Sequence, residues 1–134
     1  MEQVKIVLCD TDVIIEFYRN NQDIITELKK IGQENIAIST ITAGELLYGA
    51  LNKKELNQII KDLKNLTILD IDKKACTVFL DIMGKYVLSH KLALPDGFIA
   101  ATALANGIEL YTLNIKDYRF IKGVKLYNEK FRKL

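Results

Sequence analysis

The sequence predicts an α/β domain with a central, mostly parallel five-stranded sheet flanked by helices. Short apolar runs alternate with amphipathic segments along the chain, as expected where helices join parallel strands. The 134 residues match the size of one domain, so residues 1–134 are predicted to form a single domain. Hydrophobic residues make up 49% and charged residues 27%, which is typical of folded globular proteins.

The first half of the chain predicts three strands with helices between them. Apolar runs of strand length cover residues 4–9, 36–39 and 66–69. Amphipathic segments predict helices over residues 12–18, 22–31, 42–51 and 53–65. The second of these helices carries Ile24, Leu28 and Ile31 on one face, and Gly32 is a suitable stop.

The second half predicts two more helices and two more strands. Residues 72–88 form the longest helical pattern, and Pro95 then predicts a break. Residues 98–105 are rich in alanine and predict a helix that ends at Asn106 and Gly107. Apolar runs at 109–112 and 124–126 complete the predicted five strands.

Several classes of protein are excluded by composition. Every apolar run is far shorter than the roughly 18 residues that a membrane span needs. The acidic start of the chain does not resemble a signal peptide, so we expect a cytoplasmic protein. Cys9 and Cys76 are too few for a zinc site or a disulfide framework and are predicted to be reduced core residues. His90 is the single histidine, which leaves no histidine-based metal site.

Charge is distributed unevenly along the chain. Residues 116–134 carry seven basic and two acidic side chains, including Lys130, Arg132 and Lys133 near the end. A basic tail is compatible with binding to a polyanion, and equally with a solvated terminal face.

Four acidic residues lie just after predicted strands or near the start of predicted helices. Asp10 follows the first strand, and Glu45 lies in the first turn of the helix after the second strand. Asp96 precedes the alanine-rich helix, and Asp117 lies just beyond the fourth strand. Since parallel strands end at the same edge of a sheet, all four can converge where α/β sheets bind ligands.

Each of these acidic residues also has a purely structural interpretation. Asp10 can be a turn residue, and Glu45 can complete a capping box with Thr42. Asp96 can cap its helix, and Asp117 can close a turn. Four such positions together favour a shared site.

Clustered carboxylates favour a hard divalent cation. Without a counter-charge they would repel one another, whereas Mg²⁺ or Mn²⁺ takes carboxylate and water oxygens as ligands. Metal-assisted hydrolysis of a phosphodiester needs neither a histidine base nor a side-chain nucleophile.

Four segments resemble the PIN-domain ribonucleases, and specifically the small VapC-type toxins of prokaryotic toxin–antitoxin pairs. They are LCDTDVIIEF at 8–17, STITAGELLYGA at 39–50, KLALPDGFIAATALANG at 91–107 and LYTLNIKDYRFIKGVKLYN at 110–128. The resemblance implies a three-layer PIN-like sandwich. It also implies a Mg²⁺- or Mn²⁺-dependent endoribonuclease in which metal-activated water leaves a 5′-phosphate and a 3′-hydroxyl.

By position, the resemblance assigns a role to each acidic residue. Asp10 and Asp96 would be direct metal ligands, and Glu45 and Asp117 would complete the site or orient metal-bound waters. Groups that fix these carboxylates or contact phosphate would be Thr11, Thr112 and Asn114.

Three positions depart from the usual pattern of the family. Asp12 stands where Asn or Ser is more frequent, Gly97 stands where Ala is usual, and Tyr118 stands where Phe is common. Asp12 adds a fifth carboxylate or caps the first helix, Gly97 is expected to loosen the first turn of its helix, and Tyr118 is expected to be without consequence.

The resemblance also implies partners. These are an RNA substrate, a small VapB-like antitoxin and a second copy of the chain, with no membrane. The apolar faces of residues 13–31 and 42–63 are predicted to supply the homodimer face and the antitoxin groove.

Three alternatives remain open from the sequence. The chain can be a PIN nuclease of housekeeping RNA processing, or an inactive PIN scaffold that only binds protein or RNA. A receiver-like signalling domain could use Asp10 and Asp12, but Asp70, Asp72 and Lys125 are poor matches for its other residues. Which RNA is cleaved, and whether one or two metal ions act, is not predicted.

Overall fold

The computed structural model describes residues 5–127, which form four strands and six α-helices. The strands are β1 (Val7–Cys9), β2 (Ile36–Ser39), β3 (Thr67–Leu69) and β4 (Glu109–Tyr111). The helices are α1 (Thr11–Tyr18), α2 (Gln22–Ile31), α3 (Thr40–Tyr48), α4 (Lys53–Leu63), α5 (Lys73–His90) and α6 (Leu94–Asn106). Short 3-10 helices cover Gln33–Asn35 and Ile115–Asp117. Lys130, Arg132 and Lys133 of the predicted basic tail lie outside the described residues.

The four strands form one parallel sheet in the order β3-β2-β1-β4, which confirms the predicted fold class. From β1 the chain moves outward through β2 to β3, and then returns to place β4 on the other side of β1. Strand order therefore reverses between β1 and β4. In open α/β sheets, the carboxyl ends of strands at such a reversal border the crevice that binds ligands.

Helices cover both faces of the sheet. Along β1, Leu8 packs into a core with α5 and α6, whereas Val7 and Cys9 pack into a second core with helices α1 to α4. This division follows from the alternation of side chains along a strand. Because both faces are covered, every residue of β1 and β2 is buried, and the fold has three layers.

The predicted fifth strand is wrong. Residues 124–126 contribute a single parallel bridge, between Leu126 and Leu110, instead of a strand. Just before it, Gly123 adopts a φ of +93°, and the Val124 amide donates to the Ile121 carbonyl at 3.2 Å. This turn uses the Val124 amide, which a longer β-ladder with β4 would need for pairing.

Two further expectations differ in detail. The helix break predicted at Pro95 lies at residues 91–93, and Pro95 itself is in the first turn of α6, where its missing N–H is not needed. Cys76 is exposed instead of buried, because α5 turns the neighbouring Ala75, together with Phe79, toward the core.

None of the helices within residues 5–127 combines the length and the apolar character required to cross a bilayer.

Candidate active site

Asp10 lies at the carboxyl end of β1, directly beside β4. Only 6% of it is exposed, and both carboxylate oxygens accept hydrogen bonds. Oδ1 accepts from the Thr11 amide at 2.8 Å, so Asp10 caps α1, and Oδ2 accepts from the Thr112 hydroxyl at 2.8 Å. The side chain is therefore held by two segments, by Thr11 at the start of α1 and by Thr112 just after β4.

Glu45 approaches the same crevice from α3. That helix begins at Thr40 because the Ser39 hydroxyl accepts from the Thr42 amide at 3.1 Å. Glu45 thus lies in the second turn, and the alternative of a capping box with Thr42 is wrong. Instead, Glu45 Oε1 accepts a hydrogen bond of 2.8 Å from the Thr11 hydroxyl.

Asp96 lies in the first turn of α6. The residue that caps this helix is Ala93, which offers no side-chain hydrogen bond, so the interpretation of Asp96 as the cap is wrong. Asp96 Oδ1 accepts from the Tyr118 hydroxyl at 3.0 Å. The carboxylate is partly buried at the crevice.

Asp117 ends the 3-10 helix that follows β4. Its amide donates to the Asn114 carbonyl at 2.9 Å, and its side chain is half-buried. The negative charge of Asp117 is one of the smaller causes that raise the pKa of Asp96.

Asp12 is a fifth carboxylate, and it joins α1 to the loop after β4. Its Oδ2 accepts from the Leu113 amide at 3.2 Å and from Asn114 Nδ2 at 3.0 Å. Its Oδ1 is buried without a hydrogen-bond partner among the described residues. Asp12 therefore does more than begin a helix, and one of its oxygens remains available to a ligand or a water.

The acidic side chains influence one another. Burial is the main reason that the pKa of Asp96 is raised; Tyr118 opposes the rise, and the charges of Asp10, Asp117 and Glu45 add to it. Burial likewise raises the pKa of Asp10, against the hydrogen bonds from Thr112 and Thr11. Burial and the charge of Asp10 raise the pKa of Asp12 to about 7. Carboxylates from four segments that are distant in sequence therefore influence the pKa of Asp96 or contribute to it directly.

This donor set fits a hydrated hard cation. Within residues 5–127, no three His, Cys, Asp or Glu side chains stand close enough to enclose an ion by themselves. Mg²⁺ commonly retains several waters and contacts only one or two carboxylates, so a closed cage is not required. The unpaired Asp12 Oδ1 and the mutual repulsion of the carboxylates are features that a cation and its waters would satisfy.

Sequence patterns do not reveal the role of the Tyr118 hydroxyl, and the tyrosine was expected to be without consequence. An aromatic residue at that position predicts core packing, and only the packed structure directs its hydroxyl at Asp96. Thr42 was also missed as part of the network; its hydroxyl lies 2.9 Å from that of Thr11.

The family model of the PIN domain matches residues 7–123. The chain belongs to the PIN-domain family. Membership rules out the receiver-like alternative, because the crevice and all four acidic positions lie within the matched residues.

Similar PIN-domain proteins are known from several bacteria. Ribonuclease VapC2 of Rickettsia felis is 31% identical over 136 residues, covering 92% of this chain and 97% of that protein. The tRNA(fMet)-specific endonuclease VapC of Shigella flexneri is 25% identical over 123 residues, covering 88% and 93%. Among solved structures, a toxin–antitoxin complex from Klebsiella pneumoniae has 30% identity and a TM-score of 0.75, covering 88% of this chain and 94% of that one.

Proposed function

We propose that this protein is a divalent-metal-dependent endoribonuclease, the VapC-like toxin of a toxin–antitoxin pair. The observation that carries the proposal is the hydrogen-bond network at the crevice of a PIN-domain chain, in which Thr11 contacts Asp10 and Glu45, and Tyr118, the neighbour of Asp117, contacts Asp96. The relatives named as ribonucleases and endonucleases support RNA as the substrate. We propose that it acts in the cytoplasm, where such a substrate and partner would be found.

The proposed chemistry divides between a cation and the side chains. Mg²⁺ or Mn²⁺ would supply a water of lowered pKa and neutralise charge on the phosphate, giving 5′-phosphate and 3′-hydroxyl ends. Asp10 and Asp96 would hold the cation directly, and Glu45 and Asp117 would orient its waters. Asp10 is already fixed by Thr11 and Thr112, so its oxygens need little rearrangement. Asn114 and the exposed edge of the crevice would contact the phosphate.

The antitoxin would occupy a groove of about 350 Å³ between α1, α2 and α4. Its walls combine apolar side chains such as Ile14, Phe17 and Leu28 with Lys29 and Asp62. Phe17 is 43% exposed and Tyr18 is 40% exposed, so the groove presents neighbouring aromatic side chains, and contiguous exposed apolar surface is typical of interaction sites. We therefore assign to this groove, which lies between the predicted apolar faces of residues 13–31 and 42–63, an apolar segment of the antitoxin. Replacing the exposed Phe17 with Asp should abolish capture by the antitoxin while RNA cleavage persists.

A second exposed apolar region follows α3 and would form the homodimer face. Tyr48 is 93% exposed and Leu51 is 86% exposed. Sedimentation at micromolar concentration should show a dimer that Leu51→Glu converts to a monomer. A wild-type monomer under these conditions would contradict the homodimer.

The decisive experiment is cleavage of total cellular RNA by the purified protein. It is run with Mg²⁺, with Mn²⁺ and with excess chelator, beside the double variant Asp10→Asn/Asp96→Asn. Asp81→Asn serves as the control, because Asp81 is a surface carboxylate that pairs with Lys85 on α5. We expect discrete cuts that require the cation, persist in Asp81→Asn and vanish in the double variant. Mapping of the fragment ends identifies the RNA.

Two results would redirect the assignment. Tight RNA binding without cleavage by folded wild-type protein would favour the inactive scaffold. Cleavage without growth arrest, and without inhibition by the product of a small neighbouring gene, would favour housekeeping RNA processing.

A further inference from the structure

Tyr118 is the largest side chain among those described that are fully buried. Its ring packs in the core formed with α5 and α6, and a buried phenol needs a partner for its hydroxyl. That partner is Asp96, whose Oδ1 accepts the hydrogen bond at 3.0 Å. The hydroxyl is also close enough to Asp10 to lower the pKa of its carboxyl.

The two carboxylates depend on Tyr118 to different degrees. Asp10 already accepts hydrogen bonds from the Thr11 amide and the Thr112 hydroxyl. For Asp96, the Tyr118 hydroxyl is the one hydrogen-bond donor found within residues 5–127. Without it, the Asp96 side chain would be free to rotate about its side-chain bonds at the edge of the crevice.

We propose that Tyr118 is a positioning residue for the cation site, which acts by holding Asp96 in its binding orientation. The hydrogen bond engages Oδ1 and restrains the carboxylate while leaving Oδ2 uninvolved in it, so less side-chain freedom is lost when a cation binds. A phenylalanine at this position would fill the same space without this bond. This inference rests on the proposed function, because it assumes that Asp96 is a cation ligand.

The test is calorimetric titration of the metal-free protein with Mn²⁺. Tyr118→Phe removes only the hydroxyl, and we expect it to weaken Mn²⁺ binding by about tenfold, as is usual when a partner of a metal ligand is lost. In an Asp96→Asn background the same change should have little further effect, since the positioned carboxylate is gone.

Tyr127→Phe is the matched control. Tyr127 is also a buried tyrosine whose hydroxyl donates to a carboxylate, Glu27 Oε1 at 2.8 Å, but it packs on the opposite face of the sheet. Thermal unfolding should show a comparable loss of stability in both variants, whereas only Tyr118→Phe should alter Mn²⁺ affinity.

The outcomes separate this inference from the proposed function. Wild-type affinity in Tyr118→Phe, or an equal loss in Tyr127→Phe, would overturn the role of Tyr118 and leave the nuclease assignment intact. A wild-type protein that binds neither Mn²⁺ nor Mg²⁺ would overturn both.

Discussion

The hydroxyl of Thr112 donates a hydrogen bond of 2.8 Å to Oδ2 of Asp10, a residue 102 positions earlier in the chain. The bond crosses between β1 and β4, where the order of the strands reverses. Thr112 is fully buried, and its oxygen also accepts from the Asn114 amide at 3.0 Å. One hydroxyl therefore connects the first acidic residue to the loop that carries the fourth.

Replacing Thr112 with Val should slow RNA cleavage by about 10- to 100-fold, because the new side chain keeps the shape but cannot orient Asp10. Thr112→Ser keeps the hydroxyl and should retain most activity. Single-turnover cleavage of the mapped RNA measures both variants. Equal activity in Thr112→Val and wild type would show that Asp10 needs no support from β4.

The metal-free protein should lose stability as the pH rises. The pKa of Asp12 is about 7 in the folded protein against an ordinary value of 3.8, and those of Asp10 and Asp96 are also raised. The folded state therefore binds protons more tightly than the unfolded chain, and its added stability is complete below about pH 4 and lost as the pH approaches 7. Thermal unfolding in chelator from pH 4 to pH 8 measures the decline.

Asp12→Asn should make this decline shallower, whereas Asp81→Asn should not. Mg²⁺ added at pH 8 should restore stability, because it binds the ionised carboxylates of the folded state. A flat profile in chelator would show that these carboxylates do not interact as their positions indicate.

Gly97→Ala should destabilise the protein by about 1 kcal/mol, despite the usual gain from replacing glycine in a helix. A Cβ at Gly97 would lie 2.7 Å from Met83 Sδ and 3.1 Å from Phe79 Cε1, and the Phe79 ring is stacked on Phe98. Gly84→Ala on α5 is the control, since a Cβ there meets no atom within 4 Å, and it should stabilise by about 0.5 kcal/mol. Denaturant unfolding of both variants gives the comparison. Stabilisation of both would mean that α5 and α6 adjust without cost.

The basic tail gives a prediction that depends on sequence alone. Neutralising Lys130, Arg132 and Lys133 should weaken RNA binding and reduce the slope of log affinity against log salt by about two, if each contacts one phosphate. Binding of catalytically inactive Asp10→Asn/Asp96→Asn protein at several salt concentrations measures the slope. An unchanged slope would indicate that the tail is a solvated face.

The fold class followed from local patterns that tertiary structure does not override. Buried parallel strands must be apolar and the helices between them must be amphipathic, so the alternation identified β1 to β4 and all six helices. The pattern failed at residues 124–126, because an apolar run does not reveal the turn at Gly123 that limits its pairing.

The sequence by itself placed acidic residues at the ends of strands, and through resemblance it gave their expected roles. Only the tertiary structure decided which side chains support them: Thr112 on Asp10, Thr11 on Glu45, and Tyr118 on Asp96. The residues at strand ends can be recognised from the local sequence, because the direction of the chain determines which end of each strand they follow. A hydrogen bond between distant segments depends instead on strand order, helix packing and the direction of one hydroxyl. Those are properties of the assembled chain.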